Sequence, residues 1–329
     1  MLKKLLTAGL ILSLTAILAG GFLYRELSAT IDQRVLFEIP SGDNLSSISG
    51  RLDSMQLLPS SDFVFKATAL LTRDAGPVRA GQYQLEPGMD IRDLLALFRS
   101  GKVVQHRLTF PEGITLEQWL ERFVDAPYLN QLTPGLSRAE LSQVLNIEGD
   151  LEGWLFPDTY QYIKDDADVE ILHLALTRMQ TVLEAEWNRR VPAAGIETPY
   201  DALVLASIIE KETGYEPDRQ KIAGVFLNRL ARNMKLQSDP TVIYGVGPEF
   251  DGDLIRAHLR EDTPYNTYTR RGLPPTPICS PGLASIQAAL SGADHNYLYF
   301  VAMGNGRSHF SETLEEHNRA VNRYQKSAP

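Results

Sequence analysis

The sequence holds a single cysteine, Cys279, in 329 residues. One thiol excludes an internal disulfide and any zinc site built from several thiolates. It stands far from Ala19-Gly20-Gly21, so processing as a lipoprotein is excluded as well. Basic charge is also scarce, with 32 Lys+Arg against 41 Asp+Glu. Broad nucleic-acid binding needs clustered Lys and Arg to displace counterions, so nucleic acid is not an expected partner. There is no phosphate-binding glycine loop and no cofactor motif, and no cofactor is expected. His309 and His317 stand eight residues apart without a carboxylate at helix spacing, which is not a zinc signature. They read as packing or substrate-edge residues, and no metal is expected. What remains is an ordinary globular composition, 43% hydrophobic and 22% charged, long enough for about two domains.

Charge is unevenly placed. Residues 1–25 carry +3, residues 26–200 carry −11 and residues 201–329 carry −1. The basic end precedes Leu5 to Tyr24, an uncharged, mostly apolar run of the length a helix needs to cross a bilayer core. Lys3 and Lys4 before it leave the N-terminus in the cytoplasm and the chain after Arg25 outside. The competing reading is a signal peptide cleaved near Ala19-Gly20, for which Ile17 is a poor small-residue partner. The uncleaved anchor is the expectation, and the bulk of the chain is exported under either.

Three segments repeat one pattern: Ile39-Pro-Ser-Gly-Asp-Asn-Leu45, Leu85-Glu-Pro-Gly-Met-Asp-Ile91 and Phe110-Pro-Glu-Gly-Ile-Thr-Leu116. Each places a glycine (Gly42, Gly88, Gly113) two residues before a capping residue (Asn44, Asp90, Thr115). Apolar residues then recur at helical spacing. This predicts strand, glycine turn, N-cap and amphipathic helix, with strands over 81–85 and 103–110. Such units resemble LysM modules, which bind the glycan of bacterial cell walls; a plain structural α+β unit fits equally well. Residues 126–199 read as a helical connecting region, with a capping box at Ser137-x-x-Glu140 and a long helix from Val169 to Trp187. Between them, the aromatics of Glu152–Tyr160 suit either a core turn or sugar stacking.

Tyr200 to Thr213 predicts a helix that is apolar over most of its circumference and ends in Glu210-Lys211-Glu212-Thr213, with Gly214 as its stop. Residues two apart project about 200° from each other, so the two glutamates face different ways. Glu212 continues the stripe of Leu205, Ile208 and Ile209. A carboxyl there is partly desolvated, which raises its pKa and suits it to donate a proton near neutrality. The alternative is a surface glutamate in a fraying turn. Cys279 reads as a small buried residue.

Seven ordered motifs then carry a resemblance: Ala206-Ser-Ile-Ile-Glu-Lys-Glu-Thr213, Val225-Phe-Leu-Asn-Arg-Leu230, Gln237-Ser-Asp-Pro-Thr-Val-Ile-Tyr-Gly245, Tyr265-Asn-Thr-Tyr268, Gly272-Leu-Pro-Pro275, Ser280-Pro-Gly282 and Tyr297-Leu-Tyr-Phe-Val301. Together they resemble the YceG-like (MltG) family of endolytic murein transglycosylases over nearly the whole chain. Ser238, where many relatives are expected to carry Thr, keeps the hydroxyl. The resemblance implies that Glu212 is the catalytic acid and base. It implies cleavage of the β-1,4 bond between N-acetylmuramic acid and N-acetylglucosamine, leaving 1,6-anhydro ends, with peptidoglycan strands as substrate. Asn228, Gln237, Ser238, Asp239, Tyr265, Asn266 and Tyr268 are the candidates for holding the sugars. Asp239 also reads as a turn residue before Pro240, or as the second carboxylate that a hydrolase would need.

The expected fold class is α+β in four parts: an anchor (1–25), a LysM-like domain (26–125), a helical connecting region (126–199) and a catalytic domain (200–329). The resemblance further implies a single-pass inner-membrane protein with its bulk in the periplasm, partnered with peptidoglycan synthases. A hydrolytic muramidase and a non-catalytic wall-binding scaffold are the alternatives.

Overall fold

The computed structural model describes residues 2–325. The fold is mixed α+β and divides into two compact units. Among the described residues, 2–106 and 161–165 form the first, and 107–160 and 166–325 the second.

The first unit begins with α1 (Leu2–Ser28). From Leu6 to Ser28 it is long and apolar enough to cross a membrane. Strands β1 (Val35–Ile39) and β2 (Gly81–Leu85) pair antiparallel, with Val35 opposite Leu85 and Ile39 opposite Gly81. Helices α2 (Leu45–Ser54), α3 (Asp62–Leu71) and α4 (Ile91–Ser100) cover them. Phe37, Tyr83 and Phe98 meet in the core, and the Tyr83 hydroxyl donates to the Phe98 carbonyl at 3.1 Å. The first two glycine-turn copies lie here. Gly42 and Gly88 take left-handed backbones at φ 87° and 91°. Asn44 and Asp90 then cap α2 and α4 through their side chains, as the pattern predicts.

Strand β3 (His106–Thr109) pairs with β4 (Thr159–Tyr162) and is shorter than the strand expected over 103–110. The Val104 N–H instead donates to the Gln82 carbonyl at 2.7 Å.

The third copy keeps the local plan but belongs to the second unit, whereas the 26–125 expectation groups all three. Thr115 caps α5 (Leu116–Val124) in a capping box with Gln118. Long-range contacts decide its allegiance. Phe110 stacks on Trp119 with ring centroids 3.7 Å apart, and the Trp119 indole donates to Ser280 Oγ at 2.8 Å. The Gly113 N–H donates to the Ser280 carbonyl, and the Ser280 N–H to the Ile114 carbonyl, both at 2.8 Å.

The rest of the second unit comprises α6 (Arg138–Val144), α7 (Asp168–Trp187), α8 (Pro199–Glu212), α9 (Glu216–Ala231), α10 (Asp239–Val246), α11 (Arg256–Arg260) and α12 (Leu283–Leu290). The hairpin β5 (Tyr299–Ala302) and β6 (Ser308–Ser311) and helix α13 (Leu314–Tyr324) complete it. The capping box at Ser137 and the helix ending at Trp187 are both present. Met179 and Leu183 of α7 share one core with Leu203, Leu205 and Ile209 of α8, Phe226 of α9 and Ile286 of α12. Helix α7 of the connecting region therefore packs in one core with α8, α9 and α12. The Glu152–Tyr160 segment packs as a core turn, with Leu155, Phe156 and Tyr160 buried. Gly153 sits at φ 78° against Pro277, where a Cβ would approach Pro277 Cβ to 2.4 Å.

Candidate active site

Helix α8 is set at its start by Thr198, whose hydroxyl caps the Asp201 N–H while the Asp201 carboxylate caps the Thr198 N–H; Pro199 opens the first turn. Every residue from Ala202 to Ile209 is buried. At the far end three consecutive side chains reach three loops. Glu210 Oε2 accepts from the Gly282 N–H at 3.0 Å. Lys211 Nζ donates to the Gly113 carbonyl at 3.2 Å. Glu212 Oε1 accepts from Ser238 Oγ at 2.5 Å. The two glutamates diverge as the helical geometry requires. The stop differs from expectation: Thr213 leaves the helix in an extended conformation, and Gly214 has no left-handed backbone.

Glu212 lines a cavity of about 530 Å³ together with Gln237, Asp239 and Tyr268. Burial pushes its carboxyl up to about 7; the Ser238 hydrogen bond pulls down, the Asp239 charge pushes up and the Arg229 charge pulls down. Asp239 stands in the first turn of α10, where its Oδ1 accepts from the Tyr268 hydroxyl at 2.5 Å. Desolvation, reinforced by Asp239, raises the Tyr268 pKa, so that hydroxyl remains a donor. Gln237 holds φ 52°, a left-handed backbone outside glycine's usual preserve, costing about 1 kcal/mol or more. That strained turn carries Gln237, Ser238 and Asp239 into the site together.

The opposite wall comes from α9, β5 and α13. Arg229 is buried, its Nε donating to the Leu298 carbonyl at 2.7 Å and its Nη1 to the Leu236 carbonyl at 2.6 Å. The Tyr299 ring lies 5.2 Å from the Arg229 guanidinium, and His317 stacks against that ring at 5.2 Å. Burial, then the Arg229 charge, lowers the His317 pKa, keeping the imidazole neutral at neutral pH. Asn318 and Gln325 complete the polar lining. His317 thus stands at the cavity, whereas His309 packs on Tyr324. No metal-binding group of His, Cys, Asp or Glu occurs among the described residues.

Three sequence candidates lie elsewhere. Asn228 Nδ2 donates to the carbonyls of His295 (2.8 Å) and Tyr297 (3.1 Å), tying α9 to the segment before β5. Asn266 is buried, its Nδ2 donating to the His258 and Glu261 carbonyls while its Oδ1 accepts from the Tyr268 N–H. Tyr265 packs on Tyr244, and its hydroxyl lies 2.9 Å from Thr276 Oγ1. All three build the loops around the cavity rather than its lining. Sequence reasoning passed over Arg229, which stands inside the Val225–Leu230 motif, and Glu152, a fully buried carboxylate. For Glu152 the available signal was an acid opening an otherwise apolar, aromatic segment. Cys279 is buried with its thiol 3.3 Å from the Ser207 carbonyl, as expected.

Residues 37–323 match the model of the YceG-like family. A curated relative from Bacillus subtilis (strain 168), named an endolytic murein transglycosylase, is 34% identical over 94% of this chain and 91% of its own length. A Streptococcus pneumoniae protein of the same name is 29% identical over 90% of this chain, which spans 59% of that longer protein. A solved YceG-like protein of Listeria monocytogenes superposes with a TM-score of 0.54 at 32% identity, covering 88% of this chain and 99% of that one.

Proposed function

The chain belongs to the YceG-like family, and from that membership and the Glu212 cavity we propose that it is an endolytic murein transglycosylase with Glu212 as its acid and base. The observation that carries the reading is a carboxyl at about 7, facing a cavity, with a hydroxyl donor on one oxygen. Glu212 begins protonated and gives its proton to the glycosidic oxygen as the bond from the muramoyl C1 breaks. Ser238 Oγ stabilises the carboxylate this leaves. The carboxylate then takes the proton from the muramoyl C6 hydroxyl, which attacks C1 and closes the 1,6-anhydro ring. The nucleophile belongs to the substrate and no water enters, so one carboxyl serves both steps.

Gln237, Asp239 and Tyr268 are the sugar-facing residues of this reading, while Ser238, buried beside them, acts on Glu212. Asp239 also supports a second reading: a carboxylate in the same cavity is what a hydrolase requires. Digestion of purified peptidoglycan separates them, because anhydro ends are lighter than hydrolytic reducing ends by one water. We expect anhydro products from the wild type and none from Glu212→Gln. Glu212→Gln cutting at the wild-type rate refutes the assignment, and water-containing ends favour hydrolysis.

In this proposal α1 is the uncleaved inner-membrane anchor, with the N-terminus cytoplasmic and the remainder periplasmic. The glycine-turn part of the first unit is a LysM-like glycan-binding module. Peptidoglycan synthases, which extend the strands being cut, are the protein partners. The length and apolarity of α1 support the anchor, and the two capped glycine turns support the LysM-like module.

A further inference from the structure

We propose that Glu152 is a positioning residue for Glu212, acting through Tyr244 and helix α10; this rests on Glu212 being the acid and base. Glu152 is fully buried at the head of its turn. The Leu116 N–H, at the start of α5, donates to both carboxylate oxygens at 3.1 and 3.2 Å. Oε2 also accepts from the Tyr244 hydroxyl at 3.0 Å and from Arg138 Nη2 at 3.2 Å.

Those bonds close a circuit around the catalytic carboxyl. Tyr244 belongs to α10, whose first residue is Asp239 and whose N-cap is Ser238, the donor to Glu212. The turn before α5 returns to the same point by another path, since the Gly113 carbonyl accepts from Lys211, the neighbour of Glu212. One turn of the third repeat therefore holds the end of α8 directly and the helix facing it through Glu152. A buried carboxylate with three different donors is a costly way to fill space that an apolar side chain would fill. The bond to Tyr244 is the member that reaches toward the cavity, and it fixes where α10 presents Ser238 and Asp239.

The charged and titratable groups around Glu152 are Arg138 of α6, Glu117 of α5, Tyr244 of α10, Tyr200 of α8, Asp150 in its own loop and Cys279. Arg138 is shared, with Nη1 forked onto Asp150 at 2.9 and 3.1 Å and Nε on Glu117 at 3.0 Å. Around Glu212 they are Asp239 of α10, Arg229 of α9 and Tyr268.

The test uses full-length enzyme on purified glycan strands, with Tyr244→Phe, Glu152→Gln, Glu152→Ala and Glu212→Gln side by side. Tyr244→Phe removes only the hydroxyl. We expect kcat to fall about five- to tenfold, the factor an ordinary hydrogen bond carries, with KM within about twofold. We also expect the alkaline limb of kcat/KM to move to higher pH, because a displaced Ser238 no longer favours the Glu212 carboxylate. Glu152→Gln keeps an acceptor for Tyr244 and is expected to retain more kcat than Glu152→Ala. Should Glu152→Ala fail to fold, Tyr244→Phe decides alone. Wild-type kcat and an unmoved alkaline limb in Tyr244→Phe, whatever its melting temperature, overturn the inference while an inactive Glu212→Gln leaves the proposed function standing. An active Glu212→Gln removes both.

Discussion

Replacing Ser238 with alanine deletes the hydroxyl that donates to Glu212 at 2.5 Å and leaves the buried carboxyl in place. A hydrogen bond to a charged group contributes about 1.5–3 kcal/mol. One pKa unit corresponds to about 1.4 kcal/mol, so its loss moves Glu212 up by roughly one to two units. Starting from about 7, the group should titrate near 8 or above. In the proposed mechanism the proton-donating step needs the protonated form, so activity should fall as pH rises through this pKa. At pH 8 a group with pKa about 7 is roughly one-tenth protonated and one with pKa about 8 is half protonated. Relative to its own acid plateau, Ser238→Ala should therefore be about fivefold more active at pH 8 than wild type. Its plateau should nonetheless be lower, because the carboxylate left after proton transfer has lost its donor. The assay is the initial rate of anhydro-end formation at low substrate from pH 5 to 9, reporting kcat/KM of the free enzyme. An alkaline limb that stays in place or shifts to lower pH refutes the reasoning.

Three other outcomes are expected. Glu212 titrates near 7 in the folded chain against an ordinary 4.5, so folding retains a proton there that the unfolded chain has released. Stability from this group declines as pH rises between those values, by about 3 kcal/mol in full above the upper one. Glu212→Gln should accordingly be more stable than wild type in denaturant at pH 8 and equal to it near pH 4; equal stability at both sinks the idea. Asn266→Ala removes the hydrogen bonds to the His258 and Glu261 carbonyls, at a cost of about 0.5–1.5 kcal/mol each. Its kcat/KM per folded molecule should stay within a few-fold of wild type, and a selective rise in KM would return Asn266 to the sugar-binding set. Gly153→Ala puts a Cβ 2.4 Å from that of Pro277 at a positive φ, and should lower stability by about 2 kcal/mol or more in thermal unfolding.

Local signals carried far in this sequence. The three glycine turns, their caps and the helices behind them are encoded within about fifteen residues, and all three form where the pattern puts them. The desolvation of Glu212 was legible for the same reason, since its stripe is a property of one helix. The third copy's place in the second unit was not legible, because Trp119 and Gly113 meet Ser280 across more than 160 residues. The backbone partners of Asn228 and Asn266 were hidden on similar grounds. An amide in a polar loop looks available until the carbonyls that occupy it are located. Glu152 was hidden by its company. Its partners lie on α5, α6 and α10, and an acid beside Gly153 and Trp154 gives no local sign of them.

Cys279 turns its isolation into a clock. The thiol is fully buried, and burial raises its pKa well above the ordinary range, so the reactive thiolate is scarce in the native chain. Unfolding exposes it, with no second thiol in the sequence to compete for reagent. Labelling of the purified chain by a thiol-specific dye therefore reports its opening, with one label per molecule. The rate of dye uptake by each purified variant would rank the substitutions above by how often the chain opens.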